Sequence, residues 1–398
     1  AGALPFIISG SIPHPIDAIF ETVSGFTTTG ASILSDVEAL SHCMLIWRSF
    51  THWIGGMGVL VFILCLLPLT GGYHMNLMKA ESPGPSVSKL VPKVQSTAKI
   101  LYTIYIILTV VEIIFLLIGK MPLFDTLCLS FGTAGTGGFG IKNDSIASYS
   151  TYNQVVITVF MILFGINFNA YYLLLTKKVM QAAKNEEVRY YLGIIGLAIV
   201  AIAINTREMF TSFGRAFQQA AFQVGSIITT TGYATTDFNV WPVFSKTILV
   251  ILMFVGACAG STGGGIKVSR LLILCKSARK ELQLYLHPNA VKKIKMDDKA
   301  IPHEVVRATN MFLFVYIMIF VTSLLIISLD NLDMVSNFTA IAATLNNIGP
   351  GLGAVGPTGN FNTYSYISKG VMIFDMLAGR LEVFPLLLLF KRDTWRKF

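Results

Sequence analysis

Four short stretches rich in glycine and threonine constrain this chain more than anything else in it. They read TTTGA at 27–31, GTGG at 135–138, TTTGY at 229–233 and NNIGP at 346–350. Each follows a short, mostly apolar helical stretch and precedes a polar loop and a long apolar run. Taking Gly30, Gly137, Gly232 and Gly349 as their centres, the spacings are 107, 95 and 117 residues. A pattern recurring at near-constant spacing marks a repeated structural unit. A short helix, a turn of small residues and a membrane-length helix together predict a re-entrant pore loop. Four of these are expected to meet on one axis with their backbone carbonyls turned toward an ion.

Composition puts those loops in a membrane. Of 398 residues, 54% are hydrophobic and only 13% charged, and the mean hydropathy is +0.66. Soluble domains carry about a quarter charged residues. Runs at 100–118, 155–175, 312–329 and 371–390 approach or reach the ~20 residues needed to span hydrocarbon. The expected fold class is an all-α polytopic membrane protein with four pseudo-symmetric helix–pore loop–helix repeats around a central pore. Placing the glycine loops on one face leaves 22 of the 30 Lys and Arg on the other, in the linkers and the tail. Positive charge stays inside, so the linkers are cytoplasmic and the loops external. The net charge of +9 follows from that asymmetry and is no sign of nucleic-acid binding. Five scattered cysteines without a CxxC pair read as free thiols, and no histidine has metal-ligand spacing.

Along the chain, repeat one occupies 1–70, with Asp17 capping a short helix to Phe26 and an inward helix at 41–67. It lacks the leading helix of the others, so more chain is expected before residue 1. A cytoplasmic linker with three prolines follows at 71–96. Repeat two covers 97–180, with a short helix at 123–131, a loop at 133–140 and an inward helix at 152–175. Repeat three covers 188–286, with a short helix at 213–227 and a loop at 229–237. Repeat four and the tail cover 304–398, with a short helix at 334–345 and a last helix at 368–390.

The inward helix of repeat three carries Gly256, Gly260, Ser261, Thr262, Gly263, Gly264 and Gly265 within ten residues. Each glycine costs a helix ~1 kcal/mol against alanine, so the helix should break at membrane depth and resume near Ile266. Exposed backbone there persists only when buried in protein or lining water. It reads as a kink for close packing or as a flexible plug beneath the filter. No other repeat shows such a run, which favours the plug.

Rings of backbone carbonyls can replace an ion's water, and glycine accepts the left-handed backbone that turns carbonyls to one side. The expected filter residues are Thr29, Gly30, Thr136, Gly137, Thr231, Gly232, Ile348 and Gly349, with a dehydrated monovalent cation held by the carbonyls of the four glycines. Short helices aimed at the centre would present their negative C-terminal ends to a cation. Asp36, Glu38, Asp144 and Asp237 lie just outside, to concentrate cations or merely to solvate the surface. Arg380 is a charge in an apolar helix, a functional candidate by default, unless it pairs with Asp375 or Glu382. Arg48 reads as an interface anchor and Glu112 as a buried carboxylate of unassigned role.

The stretches SGFTTTGAS at 24–32, WRSFTHWIGGMG at 47–58, TAGTGGF at 133–139, TTTGY at 229–233, GSTGGGIK at 260–267, NNIGPG at 346–351 and GRLE at 379–382 resemble the Trk/Ktr/HKT superfamily of potassium transporters. The similarity is greatest to its bacterial TrkH-type branch and covers nearly the whole chain. The resemblance implies K+ uptake across the bacterial inner membrane, a homodimer, and a cytosolic nucleotide-binding TrkA-type regulatory subunit. It places the filter glycines at Gly30, Gly137, Gly232 and Gly349, an intramembrane gating loop at the glycine break, and Arg380 below the filter as a barrier to cations. Glycine rather than serine at position 30 implies preference for K+ over Na+. Two GxGxxG matches, at 135–140 and 351–356, lack a βαβ context and are coincidences. No nucleophile–base–acid set points to an enzyme. Gated channel and K+/H+ or K+/Na+ symporter remain as mechanisms, and the scarcity of titratable residues within the spans favours the channel.

Overall fold

The computed structural model describes residues 1–58, 94–289, 293–381 and 383–388. The described residues are mostly helical, with one two-stranded hairpin, Lys295–Met296 against Lys299–Ala300. The helices are α1 (Leu4–Ile8), α2 (Pro15–Phe26), α3 (His42–Met57), α4 (Val94–Ile118), α5 (Leu123–Gly135), α6 (Thr151–Phe164), α7 (Phe168–Leu175) and α8 (Val179–Ala183). They continue with α9 (Glu186–Asn205), α10 (Phe213–Ile228), α11 (Val243–Val255), α12 (Val268–Leu286), α13 (His303–Ile327), α14 (Met334–Leu345), α15 (Tyr366–Arg380) and α16 (Val383–Leu388).

Among the described residues three helices are long and apolar enough to cross a membrane: Ala98–Ile118, Glu186–Asn205 and the stretch His303–Asp330. Their outward faces remain bare. Ile107, Val110 and Ile114 on α4, Leu197 on α9, and Phe314, Ile317 and Leu325 on α13 are all exposed. In water such stripes would be unfavourable, whereas acyl chains solvate them. The polar groups run the other way, so Glu21, Arg48, Glu187 and Lys267 are all buried. With polar groups inside and aliphatic ones outside, this is an all-α polytopic membrane protein.

The short helices α2, α5, α10 and α14 lie inside this belt, and their starts are fixed by local chemistry. Ser212 accepts from the Arg215 N–H at 3.2 Å and Asp333 from the Ser336 N–H at 3.0 Å, each satisfying a free first-turn donor. Asp17 does not cap α2. His14 is the N-cap residue, Pro15 opens the helix, and Asp17 in the first turn pairs with Lys369 of α15 at 2.7 Å. The helices that follow three of the loops start at Ser41, Ser150 and Ser365, whose hydroxyls each accept from an N–H three residues on. Between α3 and α5 the backbones come together. A Cβ on Gly56 would lie 2.5 Å from the Gly135 Cα, so only glycine permits that approach.

Several boundaries differ from the sequence expectation. α5 runs to Gly135, into the span read as loop, because its last turn curls into the pore turn. The predicted helix at 41–67 is seen as far as Met57, and the rest of it, with most of the linker at 71–96, lies outside the described residues. The helix read as continuous over 152–175 is broken: α6 and α7 meet at 90° across Gly165–Asn167. Asn167 explains this, since its side chain caps a new helix by accepting from the Asn169 N–H at 2.9 Å. The last helix likewise stops at Arg380, where Leu381 turns to an extended backbone. Broken inner helices are therefore not peculiar to repeat three.

Candidate functional site

Every short helix ends in the same turn. Thr28, Thr136, Thr230 and Asn347 adopt the left-handed conformation, with φ of 54°, 54°, 58° and 56°. Their N–H groups donate to Gly25, Thr133, Ile227 and Thr344 carbonyls, and the next residues' N–H groups donate to Ser24, Gly132, Ser226 and Ala343. That paired bonding is a Schellman motif, built four times. Asparagine tolerates the left-handed well, but a β-branched threonine seldom does. Three strained threonines in equivalent places mark a site where the surrounding structure overrides local preference.

Two residues past each left-handed residue comes a positive-φ glycine: Gly30 (79°), Gly138 (75°), Gly232 (86°) and Gly349 (96°). In loop two this is Gly138, one residue past the expected Gly137, whose own carbonyl stands in the ring. The physical reason is local. Gly137 occupies the position of Thr29, Thr231 and Ile348, and a Cβ there would run into the His52 imidazole. His52 lies stacked on Phe139 with ring centroids 4.1 Å apart, and its Nδ1 accepts from the Phe139 N–H at 3.4 Å. One glycine is demanded by conformation and its neighbour by space.

The four glycines interlock in a ring. A Cβ on Gly30 would collide with the Gly137 carbonyl oxygen, one on Gly138 with that of Thr231, and one on Gly232 with that of Ile348. A Cβ on Gly349 would come within 2.9 Å of the Thr29 oxygen, closing the circle. The loops thus follow one another in chain order, with the carbonyls of Thr29, Gly137, Thr231 and Ile348 at equivalent places. Hydroxyl pairs Thr27–Thr29 and Thr229–Thr231, each at 2.8 Å, brace the two opposite loops. Asn347 braces loop four, donating to the Thr29 hydroxyl at 2.9 Å and the Met376 carbonyl at 2.8 Å. Above the ring, Gly30, Gly138, Gly232 and Gly349 floor a cavity of about 170 Å³.

None of Asp36, Glu38, Asp144 and Asp237 lines that cavity. Asp36 and Glu38 hold Asn143 and so tie loop one to loop two, while Asp237 accepts from the Asn239 N–H and Asp144 from the Ser148 hydroxyl within their own loops. Arg48 is no interface anchor. It is 2% exposed and forms an ion pair with Glu21 at 2.8 Å, while also donating to the Gly140 carbonyl. Glu21 in turn accepts from the Ser32 hydroxyl and the Ile33 N–H. A buried pair survives only when its remaining donors and acceptors are met, and here it ties loop one to loop two. Glu112 is fully buried on α4 with no cationic partner among the described residues.

Directly beneath the ring lies the glycine break. The helix stops at Val255 and resumes at Val268. Between them Gly256, Gly260 and Gly265 take positive φ. The Gly264 N–H donates to the Thr230 hydroxyl at 2.6 Å, and Cβ atoms on Gly263 and Gly264 would press on the Thr229 and Asn346 carbonyls. Ser261 folds its hydroxyl back to the Cys258 carbonyl at 2.7 Å. Arg380 reaches in from α15, donating to the carbonyls of Thr262 (2.6 Å), Gly55 (2.6 Å) and Gly56 (2.7 Å). Lys267, fully buried, donates to the Gly263 carbonyl. Of the two partners weighed for Arg380, Asp375 accepts from Ser323 at 2.8 Å and Glu382 lies outside the described residues.

Sequence reasoning missed His52, Asn347, Lys267, Asn167 and Glu187. Only Lys267 carried a visible signal, a cation directly after a glycine run in an apolar stretch.

Comparison with known proteins fits this geometry. The family model TrkH, described as a cation transport protein, matches residues 2–396. The chain is 39% identical over 402 residues to the Trk system potassium uptake protein TrkH of Salmonella typhimurium, covering 100% of this chain and 83% of that protein. It is 34% identical over 390 residues to TrkG of Escherichia coli K12, covering 96% and 79%. The crystal structure of the potassium transporter TrkH from Vibrio parahaemolyticus superposes with a TM-score of 0.87 at 35% identity, covering 99% of this chain and 82% of that one. A transmembrane helical fold with four equivalent glycine turns closed into a ring, and kinship along nearly the full length, lead to one conclusion: the chain belongs to the TrkH family of cation transport proteins.

Proposed function

We propose that this chain takes up K+ across the bacterial inner membrane through a carbonyl-lined filter formed by its four loops. The repeats, 1–70, 97–180, 188–286 and 304–398, surround one pore, and the glycine break plugs it from below. The observation that carries this reading is the interlocking of Gly30, Gly138, Gly232 and Gly349 with their neighbours' carbonyls, in unbroken cyclic order. Peptide oxygens at fixed radius substitute for hydration, and the four helix C-termini add partial negative charge where the ion loses its water. The guanidinium of Arg380 and the ammonium of Lys267 sit at the glycine break, where positive charge opposes a cation's passage. Thr29, Thr136, Thr231 and Ile348 hold the turns in place.

The names of its relatives, potassium uptake proteins of a Trk system, support K+ as cargo and a partner within that system; we propose that this partner is a cytosolic nucleotide-binding TrkA-type subunit and that the chain acts as a homodimer. Carbonyls and hydroxyls make the ring, and no carboxylate enters it, which favours a gated channel over K+/H+ or K+/Na+ symport. Purified protein in liposomes tests both points. K+ flux should follow the K+ gradient alone, exceed Na+ flux, and rise when residues 257–262 are deleted. Flux that needs an opposing H+ or Na+ gradient would favour the symporter, and unchanged flux in a folded deletion would remove the plug.

A further inference from the structure

The two broken inner helices grip each other. The Cys258 N–H donates to the Gly165 carbonyl at 3.1 Å and the Phe168 N–H to the Gly260 carbonyl at 2.9 Å. The Thr262 hydroxyl donates to the Phe164 carbonyl at 3.3 Å. Both breaks thereby satisfy main-chain groups that lipid would leave unmet. Beside them stands Glu187, 4% exposed, at the start of α9. Its Oε1 accepts from the Ala259 N–H at 2.6 Å and the Ser269 N–H at 3.1 Å, one on each side of the bend. Its Oε2 accepts from the Asn167 side-chain amide at 3.4 Å, and Asn167 belongs to the other break.

We infer that Glu187 is a latch that binds the breaks of repeats two and three into one moving unit, with the cytosolic excursion 168–187 as its handle. This is a positioning role, and it rests on reading residues 256–265 as the plug. The excursion begins at Phe168, bonded to Gly260, and ends at Glu187, bonded to Ala259 and Ser269. Both its ends therefore sit on the plug. Between them lie α7, whose Phe168 and Ala170 are buried, and then Lys177, Lys178 and Lys184, which are exposed on either side of α8. A partner that displaces this segment pulls the plug at two points, and the glycine loop cannot leave the pore axis while repeat two stays folded against it.

The test uses the full chain in liposomes without a cytosolic partner, read by K+ flux, K+/Na+ preference and amide exchange. Glu187→Gln keeps the shape but exchanges charge-assisted bonds for neutral ones, and flux is expected to rise about tenfold at unchanged K+/Na+ preference. The amides of Phe168 and Cys258 should exchange faster together. Asn167→Asp retains the oxygen that caps α7 but sets a second carboxylate against Glu187, and it should raise flux as well. Combining the two restores an amide–carboxylate pair, so the double variant should fall back toward the parent. Faster exchange confined to 256–265, or additive flux increases in the double variant, would overturn the latch. If deletion of 257–262 raises flux while Glu187→Gln does not, the latch alone fails. If neither raises it, the plug fails too.

Discussion

The outer and inner halves of this molecule treat their fourfold pattern in opposite ways. Outside, four turns of three different sequences, TTG, TGG, TTG and NIG around the bend, take the same backbone to within a few degrees in φ at the left-handed residue. Inside, the helices that follow go separate ways. That of repeat two bends by 90° at Gly165–Asn167, that of repeat three opens over 256–267, and that of repeat four stops at Arg380. On the function proposed above, a dehydrated ion requires equal oxygens on all sides, so the ring cannot vary. A plug would enter from one side and be held from the others, so the inner helices would have to vary. On that reading symmetry belongs to binding and asymmetry to control.

That division can be broken at its strongest point first. Gly232→Ala places a side chain against the Ile348 carbonyl at a φ of 86°. The backbone strain alone costs of order 1–3 kcal/mol, and K+ flux should drop about a hundredfold in protein that still elutes as a single species. Normal flux would show that the ring tolerates unequal sides. Arg380→Ala removes three bonds to the carbonyls of Thr262, Gly55 and Gly56. It should raise flux about tenfold and leave the K+/Na+ preference as it was. A changed preference would mean that the two halves are not separable.

Asn347 joins them, facing Thr29 in the ring and Met376 in the inner helix. Asn347→Ala loses both bonds and the residue type that suits a φ of 56°. A loss of about 1–3 kcal/mol is expected as a fall in melting temperature, with flux reduced only a few-fold. The smallest effect is expected at Asp333, the cap of α14. Hydrogen bonds from the Ser336 side chain and N–H hold its carboxyl below the usual aspartate range. A lowered folded-state value means that the carboxylate stabilises the fold above the ordinary aspartate range, near pH 3.8, and loses that contribution as pH falls through the lower value. Asp333→Asn, which keeps the cap without the charge, should cost under ~1 kcal/mol and flatten the melting profile below pH 4. A large loss at neutral pH would show that α14 depends on this charge more than its exposure suggests.

The sequence made much of this legible. Glycine loops at regular spacing, apolar runs of membrane length and the clustering of Lys and Arg in the linkers are local or compositional signals, and they survive without coordinates. The positions of α10, α14 and the break at 256–265 were readable for the same reason. The register of loop two was not. TGG offers two glycines, and the choice is made by His52, 85 residues upstream, which fills the space beside Gly137. The break in repeat two was hidden because FGINF carries one glycine, and what stops the helix is a cap by Asn167 together with main-chain partners at Cys258 and Gly260. Arg48 could not be placed until Glu21 was found against it.

By itself, then, the sequence determined that this chain lies in a membrane, that it repeats one plan four times, and where its backbone must turn, since hydropathy, charge bias and glycine content act residue by residue. Only the tertiary structure decided which glycines face which carbonyls, which helices break, and what holds the broken ends. Those depend on groups tens to hundreds of residues apart meeting in a medium with no water to satisfy them, where an unpaired peptide group is too costly to leave alone.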